Sequence, residues 1–306
     1  MKKGMKKMIK AKGIVKRFGN FKALDNFEIN VPKGSIYGLV GPNGAGKTTI
    51  INHLMGVYKP DKGAVLIDGE DVWENRDLKQ RVLCINDDWY YFGSYTVKEM
   101  ARFYESIYKN FNRERYENLG KILKIEENRQ IRRLSKGMKK QVAFRLVLSC
   151  MPDVLILDEP LDGLDPVMRK QIMNIIISDV ADREMTVLVS SHNLRELEDI
   201  CDYVGIIHNG KMVIEKPLDD LKGSVFKYQA AFNEDKEEEI RAMSDVLHVS
   251  RTGSVYNIIV RGDMREWDGK MKELSPILCE RINLTLEEVF IYELGGLGYD
   301  FESIIF

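Results

Sequence analysis

The sequence predicts an α/β protein in which a mostly parallel sheet carries a helical insertion and is followed by a small α+β domain. Three short apolar runs predict strands of the sheet: Ile36–Val40, Val154–Leu157 and Thr186–Val189. Each run is followed by a loop rich in Gly, Asp or Ser, and the first two lead into segments with a helical apolar period. Short apolar runs that alternate with helices are typical of parallel strands buried on both faces.

A helical insertion is predicted from about residue 96 to residue 149. This segment is rich in charged residues and lies between two strand signals. Met138, Val142 and Leu146 recur every four residues, which places them on one face of a helix, and Pro152 stops that helix. We therefore expect a group of helices inserted into the sheet domain.

A domain boundary is predicted near Pro217, which separates a first domain, residues 9–216, from a small second domain, residues 217–306. Apolar residues alternate over 226–232, as in a half-buried strand, and residues 255–260 predict another strand. Helical patterns occupy three further segments: 234–243, 265–274 and 286–294. The second domain is therefore expected to have an α+β fold.

Composition and charge exclude several classes of protein. The apolar fraction of 44% is sufficient for a core, and 30% of residues are charged. The chain has 46 basic and 47 acidic residues, a balance that argues against a nucleic-acid partner, because such domains usually have a strong basic excess. None of the four cysteines forms a Cys-x-x-Cys pair, so free thiols in a reducing compartment are expected, not disulfides or zinc ligands.

A membrane-spanning segment is not predicted. No stretch approaches the roughly 20 consecutive apolar residues that a membrane helix needs. Residues 1–12 contain six lysines but precede no apolar stretch, so a secretory signal is not predicted either. We expect a cytoplasmic protein, and if it works at a membrane, another chain must cross it.

A phosphate-binding loop follows the first apolar run. Residues 41–48, Gly-Pro-Asn-Gly-Ala-Gly-Lys-Thr, match G-x-x-x-x-G-K-[ST] at every position, between a strand and a helix. The glycines allow backbone N–H groups to point at a phosphate, close to the positive end of the helix dipole. Lys47 is expected to reach the β- and γ-phosphates and the Thr48 hydroxyl to bind Mg²⁺. The predicted nucleotide-binding residues here are Gly41, Pro42, Asn43, Gly44, Ala45, Gly46, Lys47, Thr48 and Thr49.

Two adjacent carboxylates, Asp158 and Glu159, end the second apolar run and precede Pro160. Adjacent residues of a strand point to opposite sides, so the two acids are expected to have different roles. Asp158 is predicted to bind Mg²⁺. Glu159 is predicted to act as a general base or to orient the attacking water.

These motifs, in this order, resemble the ATP-binding cassette (ABC) ATPases over about residues 9–216. The resemblance implies a P-loop NTPase (RecA-like) fold with an antiparallel β subdomain, ATP and Mg²⁺ as cofactors, and ATP hydrolysis by paired cassettes, as a homodimer or heterodimer, attached to a transmembrane permease. The family's signature, L-S-G-G-Q, corresponds to Leu134–Met138, in which Lys136 and Met138 depart from it. It implies that Ser135 and the Gly137 backbone contact the γ-phosphate held by the opposite cassette. Ser135 is also placed to cap the helix that follows.

The resemblance implies roles for three further residues. His192 corresponds to the switch histidine that contacts the γ-phosphate, and Phe18 corresponds to the aromatic residue that stacks on adenine. Asp165 corresponds to the loop that contacts the second cassette, although it is also a good helix cap before Pro166. A buried core position for Phe18 is the alternative that its residue type leaves open.

One position departs from the family in a way that affects function. The family usually places a glutamine after the strand at 82–85, where it touches Mg²⁺, the water and the permease, and this position falls on Asp87. An aspartate can bind Mg²⁺, but it is shorter and adds a charge, so slower hydrolysis or altered coupling is expected. Asp88 and the aromatic run 89–92 lie in the same loop. Aromatic clusters are more often part of a core, but in a predicted loop beside the helical insertion we interpret the run as a docking surface for a partner helix.

The direction of transport rests on weaker resemblances. The C-terminal extension and the segment Leu284–Phe290 resemble single-cassette exporter subunits, including the bacitracin-resistance and acetoin-exporter types. Two other functions remain open: a non-transport ATPase of the same superfamily, and a nucleotide-dependent regulatory subunit with little turnover. The single phosphate loop, the lack of sustained heptads and the balanced charge disfavour the first, and Asp87 is the best support for the second.

Overall fold

The computed structural model describes residues 6–87, 89–223 and 225–295, so Asp88 and the end of the predicted second domain lie outside it. The described chain divides into two compact units. The first consists of residues 6–192 and 200–215, and the second of residues 193–199 and those from 216 onward. The predicted boundary near Pro217 assigned residues 193–199 to the first domain, whereas here they group with the second unit. The domain limits stay a prediction.

The first unit contains two sheets and a group of helices. Its strands, in chain order, are β1 (Lys7–Phe18), β2 (Phe21–Pro32), β3 (Ile36–Val40), β4 (Lys62–Ile67), β5 (Glu70–Asp71), β6 (Val82–Ile85), β7 (Val154–Asp158), β8 (Thr186–Ser191), β9 (Tyr203–His208) and β10 (Lys211–Pro217), of which the last two residues belong to the second unit. Its helices are α1 (Lys47–Leu54), α2 (Val97–Ile107), α3 (Arg113–Leu123), α4 (Lys136–Ser149) and α5 (Pro166–Arg183). In the part of the chain that the structure describes, no helix is long and apolar enough to cross a membrane.

The central sheet has the strand order β10-β9-β3-β8-β7-β6. β3 pairs in parallel with β8 and β9, and β7 pairs in parallel with β6 and β8. All residues of β3, β7 and β8 are buried, as expected for strands covered on both faces. The register places Val40 opposite Ser191, and Asp158 opposite Ser190. The carboxyl ends of three strands therefore meet at one edge, and the predicted mostly parallel sheet is confirmed.

A second, antiparallel sheet has the order β2-β1-β4-β5. It is the antiparallel β subdomain that the family resemblance implies. A single apolar core joins it to α1 and to the central sheet, and its fully buried members include Ile9, Ile14, Leu24, Phe27, Ile29, Leu39, Ile50, Ile67, Ile156 and Leu188. Helix α1, which begins at the phosphate loop, is thus held on a rigid apolar base.

The predicted helical insertion contains α2, α3 and α4. Thr96 caps α2 in a capping box with Glu99, and Asn112 caps α3. The side chain of Arg145 on α4 is buried: it lies over the Tyr116 ring at 3.7 Å and pairs with Glu127 at 2.6 Å. These contacts fix α4 against α3, and α4 carries the signature segment at its N-terminus.

The aromatic run at 89–92 has a more buried position than predicted. The rings of Trp89, Tyr91 and Phe92 are partly buried and pack on the apolar core of the helical insertion, while Tyr90 is 75% exposed. Trp89 Nε1 donates a hydrogen bond to the hydroxyl of Tyr104 at 3.1 Å. Three of the four rings therefore help to cover the core of the insertion, and the interpretation of the run as a docking surface stays a prediction.

The second unit has its own sheet and core. Its elements are α6 (Leu218–Lys222), β11 (Val225–Ala231), α7 (Glu237–Arg241), β12 (Val246–Thr252), β13 (Val255–Arg261), α8 (Met264–Glu273), β14 (Leu278–Ile282) and α9 (Leu286–Gly295). The order β12-β13-β11-β14 and the βαββαβ sequence describe a ferredoxin-like arrangement. Tyr228, Tyr256 and Trp267 form much of its core. Sequence patterns did not predict β14, because this strand is almost entirely exposed and shows no alternation.

A tight turn between β9 and β10 supports the phosphate loop. Asn209 and Gly210 have φ angles of +47° and +73°, the signs that a two-residue type I′ turn requires. The Gly210 N–H donates to the Ala45 carbonyl at 2.9 Å, and a Cβ at Gly210 would lie 2.5 Å from the Ala23 carbonyl oxygen. The turn therefore donates a hydrogen bond to the phosphate loop and approaches β2 too closely for a side chain at Gly210.

Replacing Gly210 with alanine is expected to destabilise the first unit. The matched control is Gly19→Ala, because Gly19 has a φ of +58° but open space around its Cβ position. The control bears only the strain of a left-handed alanine, about 1–2 kcal/mol, whereas Gly210→Ala adds a steric conflict of about 1–3 kcal/mol. Urea unfolding of both variants measures the difference, and equal free energies of unfolding would contradict the packing described here.

Candidate nucleotide-binding site

The phosphate loop lies between β3 and α1, and two of its glycines are required by their surroundings. A Cβ at Gly41 would lie 2.3 Å from the carbonyl oxygen of Ile207. Gly46 is the N-cap of α1 and has a φ of +112°, a conformation that other residues rarely adopt. The Lys47 ammonium donates to the carbonyl oxygens of Gly41 at 2.6 Å and Pro42 at 3.3 Å, so it folds back along the loop.

A cavity of about 340 Å³ opens over this loop. Its lining contains most of the predicted nucleotide-binding, metal-binding and catalytic residues, together with two residues that were not predicted. The lining residues are Phe21, Ala23, Pro42, Asn43, Gly44, Gly46, Lys47, Thr48, Thr49, Asp87, Asp158 and Glu159. Six predicted residues do not line this cavity: Phe18, Gly41, Ala45, Ser135, Gly137 and His192.

The Asp158 carboxylate joins three elements at the edge of the sheet. Its Oδ2 accepts a hydrogen bond from the Thr48 hydroxyl at 3.0 Å, and its Oδ1 accepts one from the Ser190 hydroxyl. Asp158 is 7% exposed and Ser190 is fully buried. The carboxylate and the Thr48 hydroxyl are hard oxygen donors of the kind that Mg²⁺ prefers.

Glu159 leaves the strand in an unusual conformation. Its φ of +47° is rare for a residue with a side chain, and its backbone N–H donates to Ser190 Oγ at 3.1 Å. One carboxylate oxygen lies 3.5 Å from the Lys47 ammonium, and the other lies 2.9 Å from His192 Nδ1. The turn in the backbone thus aims the Glu159 side chain at the phosphate loop and brings His192 to the site through Glu159.

Ser190 is a site residue that the sequence patterns did not identify. It fixes Asp158 through its hydroxyl proton and Glu159 through its oxygen. A signal was present in the sequence, because Ser190 lies next to the end of the buried strand β8, two residues before His192, and the carboxyl ends of parallel strands gather at one edge.

Phe21 lines the cavity and Phe18 does not, and the predicted stacking of Phe18 on adenine stays a prediction. Phe18 packs edge-to-face on Tyr58, with ring centroids 5.5 Å apart, and the Lys16 ammonium lies 5.6 Å from its ring. Phe21, which pairs with Phe18 across the turn between β1 and β2, lines the cavity and is 63% exposed. Both residues are phenylalanines of one hairpin, so residue type does not show which of them faces the nucleotide cavity. Only the structure distinguishes them.

The signature segment begins α4. The Ser135 side chain accepts a hydrogen bond from the Met138 N–H at 3.3 Å, which is the capping role that its position allowed. A Cβ at Gly137 would lie 2.5 Å from the Gly163 carbonyl oxygen, so this position requires glycine. The N-terminus of α4 therefore packs directly on the loop that follows Glu159.

Asp87 lines the cavity, but its carboxylate is paired with lysines of α4. Lys136 Nζ lies 2.8 Å and 3.0 Å from its two oxygens, and Lys140 Nζ lies 3.4 Å away. The hydrogen bond from Lys136 lowers the pKa of the Asp87 carboxyl, and the charge of Lys140 acts in the same direction. These lysines were not predicted as its partners, and they compete with a cation for the carboxylate. Its role as a metal ligand stays a prediction.

The sheet order, the phosphate loop and the acidic pair define the class: a P-loop nucleoside triphosphatase. A family model described as "ABC transporter" matches residues 24–162. The chain is 32% identical to the bacitracin transport ATP-binding protein BcrA of Bacillus licheniformis, over 95% of this chain and 99% of that protein. It is 29% identical to the ABC transporter ATP-binding protein YtrB of Bacillus subtilis, over 94% of this chain and 99% of that protein.

A solved structure of an ATP-binding subunit of an ABC transporter superposes on the fold with a TM-score of 0.66 and 26% identity, covering 70% of this chain and 92% of that one. The chain belongs to the family of ABC transporter ATP-binding proteins, and it is an ATP hydrolase of that family. The family predicted from the motifs is thereby confirmed.

Replacing Ser190 with alanine is expected to destabilise the first unit by about 1–3 kcal/mol, because it leaves the partly buried Glu159 N–H and the buried Asp158 Oδ1 without this partner. Urea unfolding measures the loss. Ser94→Ala, at an exposed position of the same unit, is the control and should stay within about 0.5 kcal/mol of the wild type. A Ser190→Ala variant as stable as this control would show that the hydroxyl bridge does not hold the site together.

Proposed function

We propose that the chain powers the export of a small molecule through a separate transmembrane permease, from the cytoplasmic face of the membrane. The observation that carries the proposal is the Glu159 carboxylate, which lies between Lys47 and His192 beside the Thr48–Asp158 pair. This arrangement unites a phosphate-binding cation, a carboxylate suited to act as a base and two oxygen donors for Mg²⁺. Hydrolysis of ATP at this site drives the permease between conformations.

In the proposed site, Lys47 contacts the β- and γ-phosphates of ATP, and Thr48 and Asp158 hold Mg²⁺. The donor set fits this ion, because Mg²⁺ usually takes one or two protein carboxylates together with phosphate and water oxygens. Among the described residues, no group of three His, Cys, Asp or Glu side chains is placed to hold a metal. A Mg²⁺ ion that is also bound by phosphate and water does not need three such side chains. Bound there, Mg²⁺ neutralises charge on the phosphates.

Glu159 is proposed as the catalytic base. The γ-phosphate of ATP competes with Glu159 for the Lys47 ammonium, which frees one carboxylate oxygen to accept a proton from the attacking water. His192 holds the other oxygen, 2.9 Å from its Nδ1, and so orients the base. The left-handed backbone at Glu159, fixed by Ser190, sets the direction of the side chain.

The complete site is proposed to form between two cassettes. Ser135 and the Gly137 backbone lie outside the cavity of their own chain, as expected for groups that contact the γ-phosphate bound by the opposite cassette. The γ-phosphate then favours the closed pair, because only the closed pair contacts it from both sides. Its hydrolysis removes that preference and lets the pair open.

A groove of about 420 Å³ in the first unit is proposed as the permease contact. Trp89, Tyr90, Met100, Phe103 and Tyr104 contribute apolar surface to it. Exposed apolar grooves of this kind accept an amphipathic helix, and within this groove Tyr90 is 75% exposed and Trp89 partly buried. This contact keeps the chain on the inner face of the membrane.

The relatives favour transport over the two other functions. BcrA, which this chain matches over nearly its whole length, carries a name that refers to bacitracin transport. Relatives of this kind disfavour a non-transport ATPase. A regulatory subunit with little turnover is disfavoured by the intact set of Lys47, Asp158, Glu159 and His192, and a rate measurement separates it from a transporter.

Glu159→Gln is expected to lower the rate of ATP hydrolysis by about 10²–10⁴-fold, because an amide cannot accept the proton of the attacking water. Binding of a fluorescent ATP analogue should remain. Glu117→Gln, at an exposed position of α3, is the matched control and should hydrolyse ATP at the wild-type rate. If Glu159→Gln turned over as fast as this control, Glu159 would not be the base.

Coupling to a permease is tested by the ATPase rate of the wild-type chain alone and in proteoliposomes with a co-expressed membrane protein that lacks a phosphate loop. A several-fold higher rate in the complex is expected, since the permease stabilises the closed pair. An unchanged rate, together with nucleic acid that co-purifies with the chain, would overturn the transporter proposal.

A further inference from the structure

Lys140 is a buried lysine of the first unit. It lies on α4, one turn after Gly137, and is 4% exposed. Its ammonium donates to the carbonyl oxygens of Glu159 and Asp162, each at 2.9 Å, and to Asp87 Oδ1 at 3.4 Å. An ammonium has three donors and no acceptor. Each donor therefore has an acceptor within the protein, so the group is built to hold these oxygens and not to bind a ligand.

The two carbonyl groups belong to the loop that orients the proposed base. Glu159 has a φ of +47° and is followed by Pro160, which further restricts its backbone. Strained conformations persist only where the surroundings determine them. Here Ser190 Oγ holds the Glu159 N–H at 3.1 Å, and Lys140 holds the Glu159 carbonyl oxygen. The residue is thus fixed from both sides, by β8 and by α4.

The charge of Lys140 is balanced by Asp87. Burial lowers the pKa of the Lys140 ammonium, and the Asp87 carboxylate opposes this shift. A buried cation without a partner is costly, so the carboxylate and the two carbonyl dipoles are needed together. Lys140 thereby links Asp87, at the edge of the cavity, with the loop of Glu159.

We propose that Lys140 is a positioning residue for ATP hydrolysis: its ammonium fixes the backbone of Glu159 and Asp162 and joins this loop to Asp87 through α4. The inference rests on the proposed role of Glu159 as the base. Lys140 does not contact the reacting atoms, and it acts by keeping the Glu159 carboxylate aimed at the phosphate loop.

The test compares Lys140→Met, which keeps the length of the side chain and removes its donors, with Lys139→Met. Lys139 is the adjacent lysine of the same helix, and its ammonium lies over the ring of Tyr91, 5.1 Å from its centroid, outside the Glu159 loop. Displacing a catalytic group by about 1 Å lowers the rate by up to about 100-fold, so kcat of Lys140→Met should fall by roughly 10- to 100-fold. KM for ATP should change by less than about threefold, and Lys139→Met should match the wild type.

Two further measurements separate positioning from general destabilisation. Lys140→Arg, which restores a buried cation with several donors, should recover most of kcat. Hydrogen exchange at the backbone amides of residues 159 and 161–163 should be faster in Lys140→Met than in Lys139→Met, both in a Glu159→Gln background that slows hydrolysis. A kcat of Lys140→Met equal to the wild type, or a loss of kcat and ATP binding together with unchanged exchange in the loop, would overturn the inference.

Failure of this inference can be told apart from failure of the proposed role of Glu159. If the wild type and Glu159→Gln hydrolysed ATP equally, the role of Glu159 would be wrong whatever Lys140 does. If Glu159→Gln were inactive and Lys140→Met fully active, the base would stand and only the positioning role of Lys140 would be wrong.

Discussion

The Asp158 carboxylate accepts hydrogen bonds from Thr48 and Ser190, and through them it joins the starting turn of α1 to the ends of β7 and β8. These three elements meet because β3, β8 and β7 are paired in parallel with their carboxyl ends in register. A buried carboxylate is stable only with such partners, so the strand order and the phosphate loop depend on each other. Glu159 then leaves the same strand with a left-handed backbone, which Ser190 fixes from one side.

The helical insertion reaches this edge through α4. Its N-terminus packs Gly137 against the Gly163 carbonyl, and its buried Lys140 binds the carbonyl oxygens of Glu159 and Asp162. The signature segment thus has a role within its own chain besides the contact with a second cassette that the family resemblance implies. Because Asp87 pairs with lysines of the same helix, a movement of α4 changes the surroundings of the cavity and of the base together.

The departures from the family pattern are explained in part by one another. Aspartate replaces the expected glutamine at 87, and lysine replaces a glycine at 136, and the structure brings these two side chains to 2.8 Å. An extra negative charge at the cavity is therefore matched by an extra positive charge on α4. Neither substitution suggests the other at the level of sequence, since 49 residues separate them.

The phosphate loop, the acidic pair, the buried strands and the family were all determined by the sequence alone, because each depends on residues adjacent in the chain or on a local apolar period. The tertiary structure decided what no local pattern encodes: that Phe21 and not Phe18 lines the cavity, that three rings of the aromatic run cover a core, and that Ser190 and Lys140 hold Glu159. The contacts of Glu159 with Lys140 and Ser190 join residues that are 19 and 31 positions apart. Phe18 and Phe21 are near neighbours with the same side chain. Only packing in three dimensions distinguishes such choices, since a hydrogen bond depends on where two groups meet and not on their spacing in sequence.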